Sequence, residues 1–172
     1  MRQDPFQYYI SFIVSSNSNI PNIKSRLENL CKMFGMKKIV DDEEFFLFPD
    51  PSTLANASIR DIKKCGLGYR AKAVKSASLS VLNGETDFDF LKELDYHTAK
   101  KELLKVFGIG SKVADCILLF SLEKLEAFPL DRWMLRILQK YYSKEFQFST
   151  KTITEKTYEQ LHENAVEHFG SY

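Results

Sequence analysis

Gly108-Ile109-Gly110 runs directly into Ser111-Lys112, and Asp131 lies nineteen positions beyond that lysine. A lysine amine attacks carbon as a nucleophile, and an aspartate beside it can stabilise developing positive charge and help move protons. The two glycines let the backbone turn sharply and approach a ligand closely. A helix starting at Ser111 offers unpaired amides at its N-terminus, an arrangement suited to phosphate. Contacts of that kind position a protein on nucleic acid without reading its sequence. Lys112 falls in the first turn of that helix, whose N-terminal end repels positive charge. Asp131 stands at the start of another helix, so both side chains can project from helix beginnings into one cleft. Each residue also has a plainer reading when taken alone. Two glycines between helices make a turn, Lys112 faces solvent or a phosphate, and Asp131 caps its helix.

The elements that must position these groups read as helices. Residues 4–15 are aromatic-rich and largely apolar, which suggests a buried helix. Asn19-Ile20-Pro21 starts a second, with Pro21 in the first turn, and Ile23, Leu27, Leu30, Cys31 and Phe34 on one face up to a stop at Gly35. Residues 36–50, with FFLF and Pro49, suit a short strand or a loop. Ser58 to Cys65 reads as a short helix ended by Gly66, 69–81 as another, and Asn83-Gly84 as a turn. Asp95 caps a helix running to about residue 107. After the glycine pair, Val113, Cys116, Ile117 and Phe120 recur at i, i+3, i+4 and i+7, an amphipathic helix. Pro129 interrupts, a helix follows over 131–141, and a last one over about 154–169 turns Tyr158, Leu161, Ala165 and Phe169 inward. Strand signals are weak and internal repeats absent, so the fold class is all-α: a single domain over 1–172, with one lobe about 4–107, and the hairpin and catalytic lobe about 108–172.

Composition narrows the classes. The chain has 172 residues, 44% hydrophobic and 27% charged, as in an ordinary globular protein. No apolar run is long enough to span a bilayer, and MRQDPFQYY does not read as a signal peptide. Cys31, Cys65 and Cys116 are odd in number and far apart, forming neither a disulfide framework nor a CxxC metal site. A reducing intracellular compartment is expected: cytoplasm or nucleoid in a prokaryote, nucleus in a eukaryote. The net charge of +1 argues against binding through bulk charge. A local basic surface is available, because Arg60, Lys63, Lys64, Arg70, Lys72 and Lys75 lie within sixteen residues against one acid, Asp61. The plainer account of that run is a solvated helix face.

The stretch LLKVFGIGSKVADCILLFSLEKLEAFPLDRWMLRIL, residues 103–138, resembles the signature of the HhH-GPD (helix-hairpin-helix) DNA glycosylases. RQDPFQYYISFIVSSNSNI, residues 2–20, and CGLGYRAKAVKSAS, residues 65–78, narrow the resemblance to the 8-oxoguanine DNA glycosylase family, and the three blocks stand in that family's order and spacing. The resemblance implies a helix-hairpin-helix core of two helical lobes flanking a cleft. It implies that Lys112 of GIGSKVADC is the nucleophile, that Asp131 of FPLD assists it, and that Cys116 lines the base pocket. It further implies that Tyr69 wedges into the duplex, that Arg70 reads the orphaned cytosine, and that Asn17 helps fill the gap left by the flipped base; a core aromatic and a helix cap are the plainer readings of Tyr69 and Asn17. Hairpin amides at Gly108, Gly110 and Val113 would hold the DNA backbone.

Relatives that carry a lysine at this position form an imine with the sugar and nick the strand, so the resemblance implies a bifunctional glycosylase and lyase acting on damaged double-stranded DNA. A monomer is expected, with no membrane partner and no cofactor. The four-cysteine iron–sulfur cluster of some relatives is not expected, since the last cysteine is Cys116. The pattern departs from the family in four places. The family's N-terminal sheet domain is not expected here, and a C-terminal glutamine and phenylalanine that grip the damaged base have no counterpart that can be placed. Trp133 stands where a histidine is familiar, and Phe107 where a proline is familiar. The competing expectations are a non-catalytic helix-hairpin-helix DNA-binding module and a glycosylase for another oxidised base.

Overall fold

The computed structural model describes residues 4–148 and 153–170. Among them the chain forms ten α-helices and one small hairpin. Helix α1 (Pro5–Ser15) starts at Asp4, whose carboxylate accepts from the Gln7 amide at 2.7 Å. Its residues Tyr9, Ile10, Ile13 and Val14 are fully buried, and it packs against α2 (Ile20–Phe34), α5 (Arg70–Leu82) and α8 (Ser111–Ser121). The four are held by one continuous apolar cluster that includes Leu30, Leu54, Ile62, Leu67, Val74, Leu103, Ile117 and Leu118.

The segment 36–50 resolves into a hairpin, β1 (Lys37–Val40) paired antiparallel with β2 (Glu43–Phe46), Lys37 opposite Phe46 and Val40 opposite Glu43. Asp41 and Asp42 both take positive φ (50° and 63°), as a two-residue hairpin turn requires, and aspartate tolerates that region better than most residues. Gly35 ends α2 for a reason other than a left-handed cap. Its φ is −80°, and a Cβ there would stand 1.9 Å from the Leu47 carbonyl oxygen.

Two short helices, α3 (Pro51–Asn56) and α6 (Phe88–Glu93), were not expected from the sequence. At six residues each they are too short to show a hydrophobic period. They stand on their caps, with Asp50 accepting from the Thr53 amide at 2.7 Å and Asp87 from Phe90 at 3.0 Å, and on burial of Leu54 and Leu91. The short helix after Ser58 is α4 (Ile59–Ile62), continued by a wide turn over Lys63–Leu67 in which Gly66 takes φ 81°. Helix α7 (Tyr96–Leu104) is capped by Asp95 through the Thr98 amide at 3.0 Å.

A second, smaller cluster of Leu130, Leu138, Phe146, Tyr158, Leu161 and Ala165 joins α9 (Arg132–Tyr141) to α10 (Glu155–Phe169). Phe128, Tyr142 and Phe169 pack on it. The first cluster runs as far as Ala127 along the chain, and the second begins with Leu130. The apolar face of α8, Val113, Ala114, Ile117 and Leu118, belongs to the first cluster because it lies on α1 and α7. Among the described residues, no helix is long and apolar enough to cross a membrane.

Candidate active site

Eight of the ten helices described begin with a side chain that caps their first amides; α5 and α8 do not. At α8 the residue before the helix is Gly110, which has no side chain to offer, so the first-turn amides through Val113 are left for an outside acceptor. The two hairpin glycines serve different ends. Gly108 has φ 92°, and a Cβ on it would stand 2.3 Å from the Ala73 Cβ, so it is required by the turn and by close packing on α5. Gly110 has φ −104°, and a Cβ on it would meet nothing within 4 Å. The protein itself does not need a glycine there, whereas a ligand approaching the amides would.

Lys112 is half-buried. Its Nζ lies 5.5 Å from the centroid of the Phe12 ring of α1, and its amine hydrogen-bonds the Cys116 thiol one turn on. Lys112, Cys116 and Phe120 line one face of α8 at a spacing of four, and Phe120 stacks on Phe12 with centroids 5.6 Å apart. The lysine therefore stands where α1 and α8 meet, beside the Phe12 ring and on the same helix face as the Cys116 sulfur. Burial pushes the Cys116 thiol up to about 11 against the pull of the Lys112 cation, and the Asp115 and Asp131 carboxylates push the same way. Asp131 is thus close enough to act electrostatically on the thiol that Lys112 touches. It caps α9, with Oδ1 accepting from the Trp133 amide at 2.9 Å and from the Met134 amide at 2.8 Å. The cap and the catalytic reading do not compete, because both amides bond Oδ1 and the cap makes no demand on the second carboxylate oxygen.

The start of α5 forms the second open surface. Gly68 takes φ 55°, and Tyr69 beyond it is 63% exposed, which excludes a core aromatic. The Arg70 guanidinium lies 4.4 Å from the Tyr69 ring centroid. Its Nε donates to the Ser16 carbonyl at 2.8 Å and its Nη2 to the Asn17 carbonyl at 3.0 Å. Arg70 thereby joins Tyr69 to the turn that carries Asn17, which is exposed with φ 46° and caps no helix; that task falls to Asn19. Arg70 is 7% exposed and folded onto those carbonyls, so reaching a base requires it to leave them. The basic run divides in the same way. Arg60, Lys63, Lys64 and Lys72 are exposed, while Lys75 is half-buried and donates to the Ala57 carbonyl at 2.7 Å. Phe107 and Trp133, at the positions that depart from the family, are 63% and 70% exposed near the two helix starts.

Three contacts escaped the reading of the sequence. Phe12 and Phe120 look like core residues by period, yet they stack on each other with the Lys112 amine over the Phe12 ring. Asp115, three residues after Lys112 in α8, is fully buried and pairs with Lys100 of α7 at 3.1 Å. The available signal was its standing as the only charge in the run VADCILLF.

Comparison with known proteins agrees with this geometry. Residues 10–164 match the model of the HhH-GPD superfamily of base excision DNA repair proteins. A protein of Methanothermobacter thermautotrophicus named "Probable N-glycosylase/DNA lyase" is 33% identical over 157 residues, covering 80% of this chain and 50% of its own length. Among solved structures, the apo form of Clostridium acetobutylicum 8-oxoguanine glycosylase/lyase superposes with a TM-score of 0.87 at 34% identity, covering 99% of this chain and 57% of that one. The same enzyme bound to double-stranded DNA with cytosine opposite 8-oxoguanine gives 0.86 at 33% identity, covering 99% of this chain and 56% of that one. The chain spans about half the length of these relatives.

Proposed function

Because the chain belongs to the HhH-GPD superfamily of base excision DNA repair proteins, we propose that it acts as a bifunctional DNA glycosylase and AP lyase, excising 8-oxoguanine or a related oxidised purine from duplex DNA. The observation that supports this reading is that Lys112 stands in the first turn of α8 at its uncapped amides, while Asp131 begins α9 and acts electrostatically on the same Cys116 thiol as Lys112.

A base is out of reach inside a duplex and must be flipped out, at a cost of about a few kcal/mol. Tyr69 and Asn17 occupy the space it leaves, and Arg70 meets the unpaired cytosine. The amides of the hairpin and of Val113 hold the strand through its phosphates. The Lys112 nitrogen attacks the sugar carbon that bears the base. The new carbon–nitrogen bond forms as the glycosidic bond breaks, and the base leaves with the electron pair and takes up a proton. Asp131 stabilises the positive charge developing on the sugar. Opening of the sugar ring gives a protonated imine on Lys112. Loss of a proton from the adjacent carbon then expels the 3′ phosphate and nicks the strand. The protein works as a monomer in the compartment that holds the DNA, its two lobes forming one functional domain around the cleft.

A panel of duplexes tests the substrate. Single-turnover excision is expected to be fastest for 8-oxoguanine opposite cytosine, with strand nicking in the same reaction. Salt-dependent duplex binding with no excision from any oxidised purine would instead establish a binding module.

A further inference from the structure

Asp115 has no part in the chemistry just described, yet Tyr96, Lys100 and Tyr158 all bond it. A carboxylate in an apolar interior is costly unless its oxygens are satisfied. Asp115 is fully buried. Its Oδ1 accepts from the Tyr96 hydroxyl at 2.7 Å and lies 3.1 Å from the Lys100 ammonium. Its Oδ2 accepts from the Tyr158 hydroxyl at 2.7 Å. Lys100 also reaches Glu159 at 3.1 Å, and Ser111 at the head of α8 donates to Glu159 at 2.9 Å. Helices α7, α8 and α10 are locked together by these bonds, and a purely structural ion pair would end there.

Two of the partners reach further. The Tyr158 oxygen accepts from the Leu130 amide at 3.1 Å, and Leu130 immediately precedes Asp131. The His162 Nε2, 2.8 Å from the Tyr96 hydroxyl, accepts from the Phe128 amide at 3.2 Å. Burial pulls the His162 pKa down, which favours the unprotonated ring that this acceptor role needs. Residues 122–131 form no helix or strand, so backbone amides there must find partners elsewhere. Here one is held by Tyr158, which bonds Asp115, and the other by His162, whose ring stacks on Tyr96. One continuous series of bonds runs from α8, which carries Lys112, to the residue before Asp131.

We infer that Tyr158, oriented by Asp115, is a positioning residue that sets the backbone of Asp131 relative to Lys112 before DNA arrives; this rests on the reading of Lys112 and Asp131 as the reactive pair. A reacting pair misplaced by about an ångström can lose about a hundredfold in rate, so a loop with no regular structure of its own needs such an anchor.

Tyr158→Phe removes one oxygen and keeps the ring, and two readouts on the full chain decide the matter. The first is amide exchange by NMR in the free protein. Leu130, Trp133 and Met134 are expected to exchange at least tenfold faster, with Ile117 and Leu118 inside α8 unchanged. The second is the single-turnover rate of borohydride trapping on a duplex with 8-oxoguanine opposite cytosine, expected to fall tenfold or more with duplex Kd unchanged within twofold. Unchanged exchange at Trp133 and Met134, or a trapping rate equal to that of the native chain, overturns the inference. Should the native chain trap neither 8-oxoguanine nor abasic duplex, the proposed function fails and the exchange data alone decide whether the anchor exists. If Tyr158→Phe folds poorly, His162→Gln frees the Phe128 amide of the same segment and is read in the same two ways.

Discussion

The two sides of α8 were built under opposite rules. On its inner side Asp115 is fully buried and receives bonds from α7 and α10. Among the described residues, no buried side-chain nitrogen or oxygen lacks a partner. At its outer end Gly110 caps nothing, Lys112 is half-buried, and the first amides are left without a side-chain acceptor. Low dielectric makes an unpaired group inside expensive and a charge-ready group at the mouth useful. The difference teaches that saturation marks scaffold and incompleteness marks the site. The same helix provides both, so rigidity at Asp115 is passed directly to Lys112, less than one turn away.

That contrast can be broken by substitution. Asp115→Ala would leave Lys100 buried beside a lost partner, and unfolding in urea should show a loss of about 3–5 kcal/mol. A loss under about 1 kcal/mol would mean that the inner side is not the scaffold described. The hairpin glycines give the next largest effect. Gly108→Ala forces a left-handed φ on alanine and a clash with Ala73, and should cost about 1–3 kcal/mol in the same assay. Gly110→Ala should leave stability within about 0.5 kcal/mol while weakening duplex binding several-fold, since only a ligand contests that space. Equal stability losses at the two glycines would erase the distinction between them.

Asp131 separates cap from charge. Asp131→Ala should lose about 1 kcal/mol of stability with the cap, and Asp131→Asn, which still accepts from the Trp133 and Met134 amides, only a few tenths. Both should slow excision by about a hundredfold or more, because both remove the carboxylate charge.

The smallest effect is one of pH. Folding lowers the His162 pKa from its ordinary 6.5, chiefly through burial; Lys100 and His97 add to the lowering, and Asp115 and Glu159 oppose it. The unfolded chain therefore binds the proton more readily than the folded one. The stability that neutral His162 confers is complete above about pH 6.5 and is lost as pH falls below it. Denaturation between pH 7.5 and pH 5, before carboxylates titrate, should show this decline, and His162→Gln should flatten it.

Much of this arrangement was legible in the residues. The helices that carry the site announced themselves through caps and period: Asp95 and Asp131 accept from the amides their positions suggest. The GIGSK and GLGYRA blocks marked the two helix starts that prove to be uncapped. The parts that were not legible depend on distance in space. Phe12 and Lys112 are a hundred positions apart in the chain and meet only because α1 lies on α8. Tyr158 reads as one more inward-facing apolar position of α10, and its hydroxyl acquires meaning only when Asp115 and Leu130 stand on either side of it. Arg70 reads as one of six basic residues, whereas its two carbonyl contacts hold it at the turn beside Tyr69.

The central claim is that Lys112 is the nucleophile of a lyase, and borohydride reduction tests it most directly. The native chain is incubated with a duplex carrying 8-oxoguanine opposite cytosine, borohydride is added, and the products are separated by denaturing electrophoresis. The account predicts a covalent protein–DNA band with the native chain and none with Lys112→Gln, which should keep its fold and its duplex affinity. A band of equal intensity in Lys112→Gln would place the nucleophile elsewhere. No band from the native chain, with duplex binding intact, would contradict the claim for this substrate.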